Sequence, residues 1–314
     1  MKGTRANERG DSRYAVRAAI ALLLSCILSP TSRAASETRA CLTAQCVADY
    51  DSRKQSVVLD NGQRLAYIES GSASNPGVLL IHGYTDSARD WQPIEPYLNA
   101  KLHLIIVDLR GHGASDEPDC CYTRFDFAYD LVLLLGKLHI EQVDVVGHSL
   151  GSLVAQTLAE LWPEHTRKLV LISSTGTSFG TGSWLADVQR LSDPIDPDSA
   201  FMRSWWQQSI SINPEAFSER QRRDAAAIPA RVWRAIADQS LEGVDLAPML
   251  NRIRAPTLLI WGARDSLVSA EGRDSLHTGI KSSRVKVFPT LGHDLFWEEP
   301  NAVSASMLQF LTAR

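Results

Sequence analysis

A serine held between two glycines, where one apolar run gives way to another, is the first stretch of this chain whose residue types could do chemistry. In VVGHSLGSLVA (Val145 to Ala155), Ser149 follows the apolar run Gln142 to His148 and opens the helical pattern LGSLVAQTLAELW. A serine hydroxyl is a weak nucleophile at neutral pH. It needs a base to take its proton, a third group to orient that base, and N–H donors for the oxyanion that forms. On a tight turn at the carboxyl end of a strand, Ser149 would stand above the sheet edge, within reach of substrate. Gly147 and Gly151 would remove the side chains that collide with the adjoining strand and helix. The simpler role for such a serine is to cap the helix. Eight histidines compete for the part of base.

The elements that would position these groups are readable from the apolar pattern. SVVLDNGQRLAYIES alternates about Asn61-Gly62, a hairpin signal. Four continuous runs follow: GVLLIHG (Gly77 to Gly83), LHLIIVD (Leu102 to Asp108), QVDVVGH (Gln142 to His148) and KLVLISS (Lys168 to Ser174). Each is too short for a helix and rich in Val, Ile and Leu, as in strands buried on both faces. Helical segments lie between them, so the chain reads as an α/β fold with right-handed crossovers and a mostly parallel sheet. The alternation stops near Thr175 and resumes at APTLLIWG (Ala255 to Gly262) and SRVKVFP (Ser283 to Pro289), before a last helix from about Asn301 to Leu311. The insertion between the halves, 176–248, is helical in pattern and holds Trp184, Trp205, Trp206 and Trp233, half of the chain's eight tryptophans. Most of these rings would form the insertion's own small core. Trp205 and Trp206 are adjacent and cannot face the same way on a helix, so one of them is the candidate for lining a cleft.

Composition limits the partners. With 314 residues, 44 % hydrophobic and 22 % charged, the chain can bury one sizeable core. Its net charge of −4, with both signs interspersed, offers no basic face for nucleic acid or an anionic membrane. At the N-terminus, Arg13 and Arg17 precede the apolar stretch Ala18 to Leu28 and the small-residue segment SPTSRAAS. That order reads as a secretory signal over 1–35, cleaved near Ala34 or Ala35, which predicts an exported, periplasmic or secreted protein. The apolar run is too short to span a bilayer, so no stable membrane insertion is expected after cleavage. Leu24 before Ser25, and the apolar pair after Cys26, argue against a lipid anchor at Cys26. Export would leave Cys41, Cys46, Cys120 and Cys121 in an oxidising compartment. The expected disulfide joins Cys41 to Cys46, or ties one of them to the loop at Cys120. No ligand spacing suits zinc, and no metal or cofactor is expected.

Five segments in order resemble the α/β-hydrolase superfamily over nearly all of the mature length. IHGYTDSARDW (Ile81 to Trp91) matches its oxyanion loop, VDLRGHGASD (Val107 to Asp116) the loop after the next strand, and GHSLG the nucleophile elbow. LLIWGARDSLV (Leu258 to Val268) matches the acid-bearing turn and LGHDLFWEEP (Leu291 to Pro300) the histidine loop. The resemblance implies an α/β-hydrolase fold with a mostly parallel central sheet, flanking helices and an inserted helical cap. After the signal come an extension over 36–54, core segments over 55–175 and 249–314, and the cap over 176–248.

It also implies the roles: Ser149 nucleophile, His293 base, Asp265 the acid, in the order Ser, acid, His. The turn after the strand ending at Ser174 holds an acid in some members. Here it reads SSTGTS and carries no carboxylate, so elimination also favours Asp265. His148 is expected to point away from Ser149, and His82 and His112 to be scaffold. The backbone N–H groups of Leu150 and Tyr84 would form the oxyanion hole. The expected function is hydrolysis of a small to medium, largely apolar ester or lactone through an acyl-enzyme. Cofactor-free haloperoxidase or perhydrolase chemistry, an aminopeptidase using Glu215, Glu219 or Glu242, and a non-catalytic ligand-binding protein are the alternatives.

Overall fold

Runs that are apolar at every position suit strands covered on both sides, because alternate side chains of an extended chain point to opposite faces. In the computed structural model, which describes residues 44–179, 183–207, 215–243 and 245–313, these runs form the centre of an eight-stranded sheet. Its strands are β1 (Gln55–Val58), β2 (Arg64–Ser70), β3 (Gly77–Ile81), β4 (His103–Val107), β5 (Val143–His148), β6 (Thr166–Ile172), β7 (Thr257–Gly262) and β8 (Ser283–Phe288). They lie in the order β1-β2-β4-β3-β5-β6-β7-β8. β2 is antiparallel to β1 and β4, and all other pairs are parallel. The β1–β2 hairpin turns through Gly62, whose φ of 84° suits glycine.

The period of two divides the core into layers. Leu79, Ile81, Ile105, Val107, Val145 and Leu171 face one apolar layer, and their neighbours Leu80, Leu104, Ile106, Val146, Val170 and Ile172 face the other. Among the flanking helices are α1 (Ala44–Asp51), α2 (Arg124–Lys137) and α3 (Leu150–Leu161). α2 starts at a capping box: the Asp126 N–H donates to Thr123 Oγ1 at 3.2 Å and the Thr123 N–H to Asp126 Oδ2 at 2.9 Å. α3 is buried from Leu150 to Glu160, including the polar Ser152, Gln156, Thr157 and Glu160.

The segment between β6 and β7 contributes α4 (Ser183–Gln189), α5 (Ala200–Gln207), α6 (Glu215–Ala226) and α7 (Ala230–Ile236), followed by one wide turn over Ala237–Leu241. It is seated on the loops after β3 and β4. Tyr84 OH donates to Trp233 O at 2.7 Å, Arg89 Nη2 meets Asp224 Oδ1 at 2.6 Å, and Ser240 Oγ donates to Tyr122 O at 2.6 Å. Beyond β7 lie α8 (Ala270–Gly279) and α9 (Pro300–Leu311).

The cysteines depart from one sequence expectation. Cys120 is bonded to its neighbour Cys121, so no bond ties the N-terminal segment to this loop. α1 in fact lies elsewhere, with Tyr50 OH donating to Ala88 O at 3.1 Å beside the loop after β3. Cys46 in α1 is itself disulfide-bonded, while its expected partner Cys41, the signal over 1–35 and Cys26 lie outside the described residues. Among those described, no helix is long and apolar enough to cross a membrane.

Candidate active site

Ser149 occupies the turn between β5 and α3 with φ 50° and ψ −119°, a region that costs a non-glycine residue about 1–3 kcal/mol. The strain is imposed by close packing on both sides. A Cβ on Gly147 would lie 2.2 Å from Gly151 O, and one on Gly151 would lie 2.3 Å from Ile81 O, so helix and strands approach as only glycine permits. The Ser149 N–H donates to Ile172 O of β6 at 3.0 Å. The Ser149 hydroxyl makes no capping bond to α3, which removes the simpler role for this serine and leaves the hydroxyl free for chemistry.

Asp265 and His293 come from the loops after β7 and β8, at the same end of the sheet. His293 Nδ1 lies 3.0 Å from Asp265 Oδ2. Asp265 Oδ1 accepts the Leu267 and Val268 N–H groups at 2.9 and 3.3 Å. Burial pushes the Asp265 carboxyl up, but the charge and hydrogen bond of His293, the Leu267 N–H and Arg273 together hold it at about 2. It is therefore a carboxylate at neutral pH and can only accept. Nδ1 of His293 must then carry a proton, which leaves Nε2 as the basic nitrogen. Burial pulls the His293 imidazolium down, yet Asp265 first, then Asp294 and Asp90, bring its pKa above the ordinary 6.5.

Ser149 and His293 line one pocket with Tyr84, Trp184, Trp205 and Leu241 among its walls. It encloses a cavity of about 90 Å³, room for a short acyl or alcohol group. Tyr84 belongs to the loop after β3, and its ring is packed edge-on against Trp205 and Trp233 at 5.7 and 5.3 Å. Leu150 opens α3, where first-turn N–H groups have no partner within the helix. A larger cavity of about 390 Å³ meets this pocket at Asp86, but Lys54, Arg64 and Arg89 in its wall are paired with acids and Ser149 is not part of it. The smaller, apolar pocket is the one that adjoins the chemistry.

The sequence-predicted residues thus sort clearly. Ser149, Asp265, His293, Tyr84 and Trp205 meet at this end of the sheet, whereas the Trp206 side chain lies outside the described residues. Trp233 is fully buried within the insertion's core. His82 donates from Nδ1 to Gly83 O at 2.8 Å and accepts the Leu109 N–H at Nε2 at 3.0 Å, and His112 Nδ1 contacts Arg110 O at 2.9 Å. His82 ties the loops after β3 and β4 together, while His112 braces its own loop, its ring 4.9 Å from that of His82. Glu219 is exposed and paired with Arg223, and Glu242 is exposed at the end of the wide turn, so neither stands in the pocket to bind an amine.

Sequence reasoning missed Phe179, Leu267, Asp86 and Asp294, which also line the pocket. Phe179 reaches it only through the packing of the insertion, whereas Leu267 lies two residues beyond Asp265 on the loop after β7. Asp86 is a buried carboxyl driven well above the usual range by burial, then by Asp90, Asp294 and Asp224, and Gln221 of α6 donates to it at 3.0 Å. Asp86, Asp90 and His148 bring one ligand atom each within 4.8 Å of one another, a spacing at which one cation could be held.

Comparisons with known proteins agree with this fold. A family profile described as alpha/beta hydrolase fold matches residues 76–300. The chain is 29 % identical over 255 residues to 3-oxoadipate enol-lactonase 2 of Acinetobacter baylyi, covering 78 % of this chain and 94 % of that one. It is 28 % identical over 257 residues to 2-hydroxy-6-oxononadienedioate/2-hydroxy-6-oxononatrienedioate hydrolase 1 of Pseudomonas putida, covering 75 % and 87 %. The crystal structure of a hydrolase from Pseudomonas aeruginosa superposes with a TM-score of 0.73 at 26 % identity, over 83 % of this chain and 98 % of that one.

Proposed function

Because the chain belongs to the alpha/beta hydrolase fold family, we propose that it is an exported serine hydrolase that cleaves a carboxylic ester or lactone through an acyl-enzyme on Ser149. One observation carries this reading. A strained serine that caps nothing shares its pocket with a histidine whose Nδ1 is held 3.0 Å from a carboxylate. The likeness to an enol-lactonase supports the class of bond.

In the proposed reaction His293 Nε2 takes the Ser149 proton as Oγ attacks the carbonyl carbon. The carbonyl π electrons move to oxygen, and the oxyanion is met by the Leu150 and Tyr84 N–H groups, with the positive end of α3 behind the first. Collapse of this intermediate breaks the bond to the alkoxide, which leaves with the proton held on His293. Water then enters, loses a proton to Nε2 and attacks the acyl carbon, and Ser149 leaves with that proton as the acid is released. Asp265 stays ionised throughout and stabilises the imidazolium. The walls formed by Trp184, Trp205 and Leu241 favour an apolar substituent beside the reacting carbon.

Labelling with a fluorophosphonate probe tests the reading. The purified chain without residues 1–35 should take up one probe at Ser149, and esters and lactones of graded length should compete with it. A folded protein that takes up no probe, and turns over none of the panel, would make it a ligand-binding relative instead.

A further inference from the structure

His293 is held at both of its ends. While Nδ1 faces Asp265, its backbone carbonyl accepts the Ser173 hydroxyl at 2.6 Å and His148 Nε2 at 3.2 Å, which occupies both lone pairs of that oxygen. The two donors stand at neighbouring strand ends. His148 closes β5, and Ser173 follows β6 with a φ of 50°. Neither is more than 1 % exposed. The His148 ring lies 5.0 Å from that of His293 and 4.9 Å from Phe296. Carboxylates flank it, with Asp90 Oδ2 3.5 Å from Nδ1 and Asp294 Oδ1 3.5 Å from Nε2. Asp90 is itself fixed through Oδ1, which accepts Trp297 Nε1–H at 2.9 Å.

We propose, on the reading of Ser149 and His293 given above, that His148 and Ser173 are positioning residues that set the base by gripping its main chain. An imidazole pinned only at Nδ1 can pivot about that contact and swing Nε2 away from Ser149. A second anchor at the carbonyl removes this freedom. The need is local: His293 sits in an irregular loop after β8, with no strand ladder to fix its backbone. Misplacement of a reacting group by about 1 Å can cost as much as a hundredfold in rate. His148, which neighbours the nucleophile in sequence, thus acts on the base.

The test compares His148→Leu, His148→Gln and Ser173→Ala in the otherwise intact chain. Gln keeps a side-chain N–H near the position of Nε2, whereas Leu keeps only bulk. His148→Leu and Ser173→Ala should each lower kcat by about tenfold to a hundredfold, with KM changed by less than about threefold. His148→Gln should recover most of the loss. The proton between His293 Nδ1 and Asp265, read as a low-field resonance, should broaden in the Leu and Ala variants and persist in Gln. That signal needs no substrate, so it decides on the anchoring even if the hydrolase reading fails for lack of turnover or labelling. If His148→Leu does not fold, Ser173→Ala carries the same test. Folded variants with the wild-type resonance and kcat, or a Gln variant no better than Leu, overturn the proposal.

Discussion

Gly151→Ala and Gly136→Ala make a matched pair, since both add one methyl group to a helix. At Gly151 the new Cβ would lie 2.3 Å from Ile81 O and 2.4 Å from His82 O, all backbone, whereas at Gly136 nothing lies within 4 Å. Ordinary contacts need a separation roughly 1 Å longer than these, so α3 must move off the strand ends by about that amount. Overpacking of this kind costs about 1–3 kcal/mol, a fall in Tm of about 2–5 °C for a chain of this size. The displaced segment carries Ser149, so kcat/KM for a reactive ester should fall about a hundredfold. Gly136→Ala should leave kcat/KM unchanged and raise stability by up to about 1 kcal/mol, through helix propensity and a less flexible unfolded chain. Thermal melts and ester kinetics on the two variants suffice. If Gly151→Ala matches the wild type in both, the close approach of α3 to β3 is not what shapes the elbow. Lost stability with full activity would show that the elbow tolerates displacement.

Further outcomes follow from the site's geometry and charge. Ser149→Gly should abolish turnover yet stabilise the fold by about 1 kcal/mol in urea denaturation, the relieved strain of a φ of 50° exceeding glycine's entropic cost; a less stable variant would contradict the strain. The Asp265 carboxyl is held at about 2 against an ordinary 3.8, so it contributes about 2 kcal/mol above pH 4, lost as pH falls towards 2. Asp265→Asn should flatten the dependence of stability on pH in that window. The His293 pKa is raised above 6.5, so the acid limb of kcat/KM should lie above pH 6.5, with activity lost below it as Nε2 takes a proton. A limb below pH 6 would contradict the raised pKa of His293. The same shift makes the stability that His293 contributes greatest below pH 6.5 and lost as pH rises through its raised pKa.

The sheet was legible in the sequence because its central strands are covered on both faces, which leaves an unbroken apolar run and little else to read. β8 was found for a different reason. Arg284, Val285, Lys286 and Val287 are all exposed at the sheet's edge, and two β-branched valines alternating with charges, rather than an unbroken apolar run, mark the strand. The elbow was legible because sterics force glycine at 147 and 151. The pocket was not. Phe179 and Leu267 reach it from irregular segments, and Asp86 is buried through the docking of Gln221 from a distant helix, contacts that leave no local pattern. Cys120 and Cys121 show the converse: their bond joins adjacent residues, and the sequence expectation looked past the nearest partner.

β6 and β7 are hydrogen-bonded neighbours, Leu169 beside Thr257 through Ile172 beside Ile260, yet the whole insertion is spliced into the connection between them. Its exit and its return therefore fall side by side on one edge-to-edge seam. No strand pairing depends on what is spliced there. The groups that would break the bond lie before and after the seam, while Trp184, Trp205 and Leu241 lie within it. Under the proposed function, much of the pocket's apolar wall would thus be carried on one exchangeable stretch of chain, while the reactive groups stay where the sheet puts them.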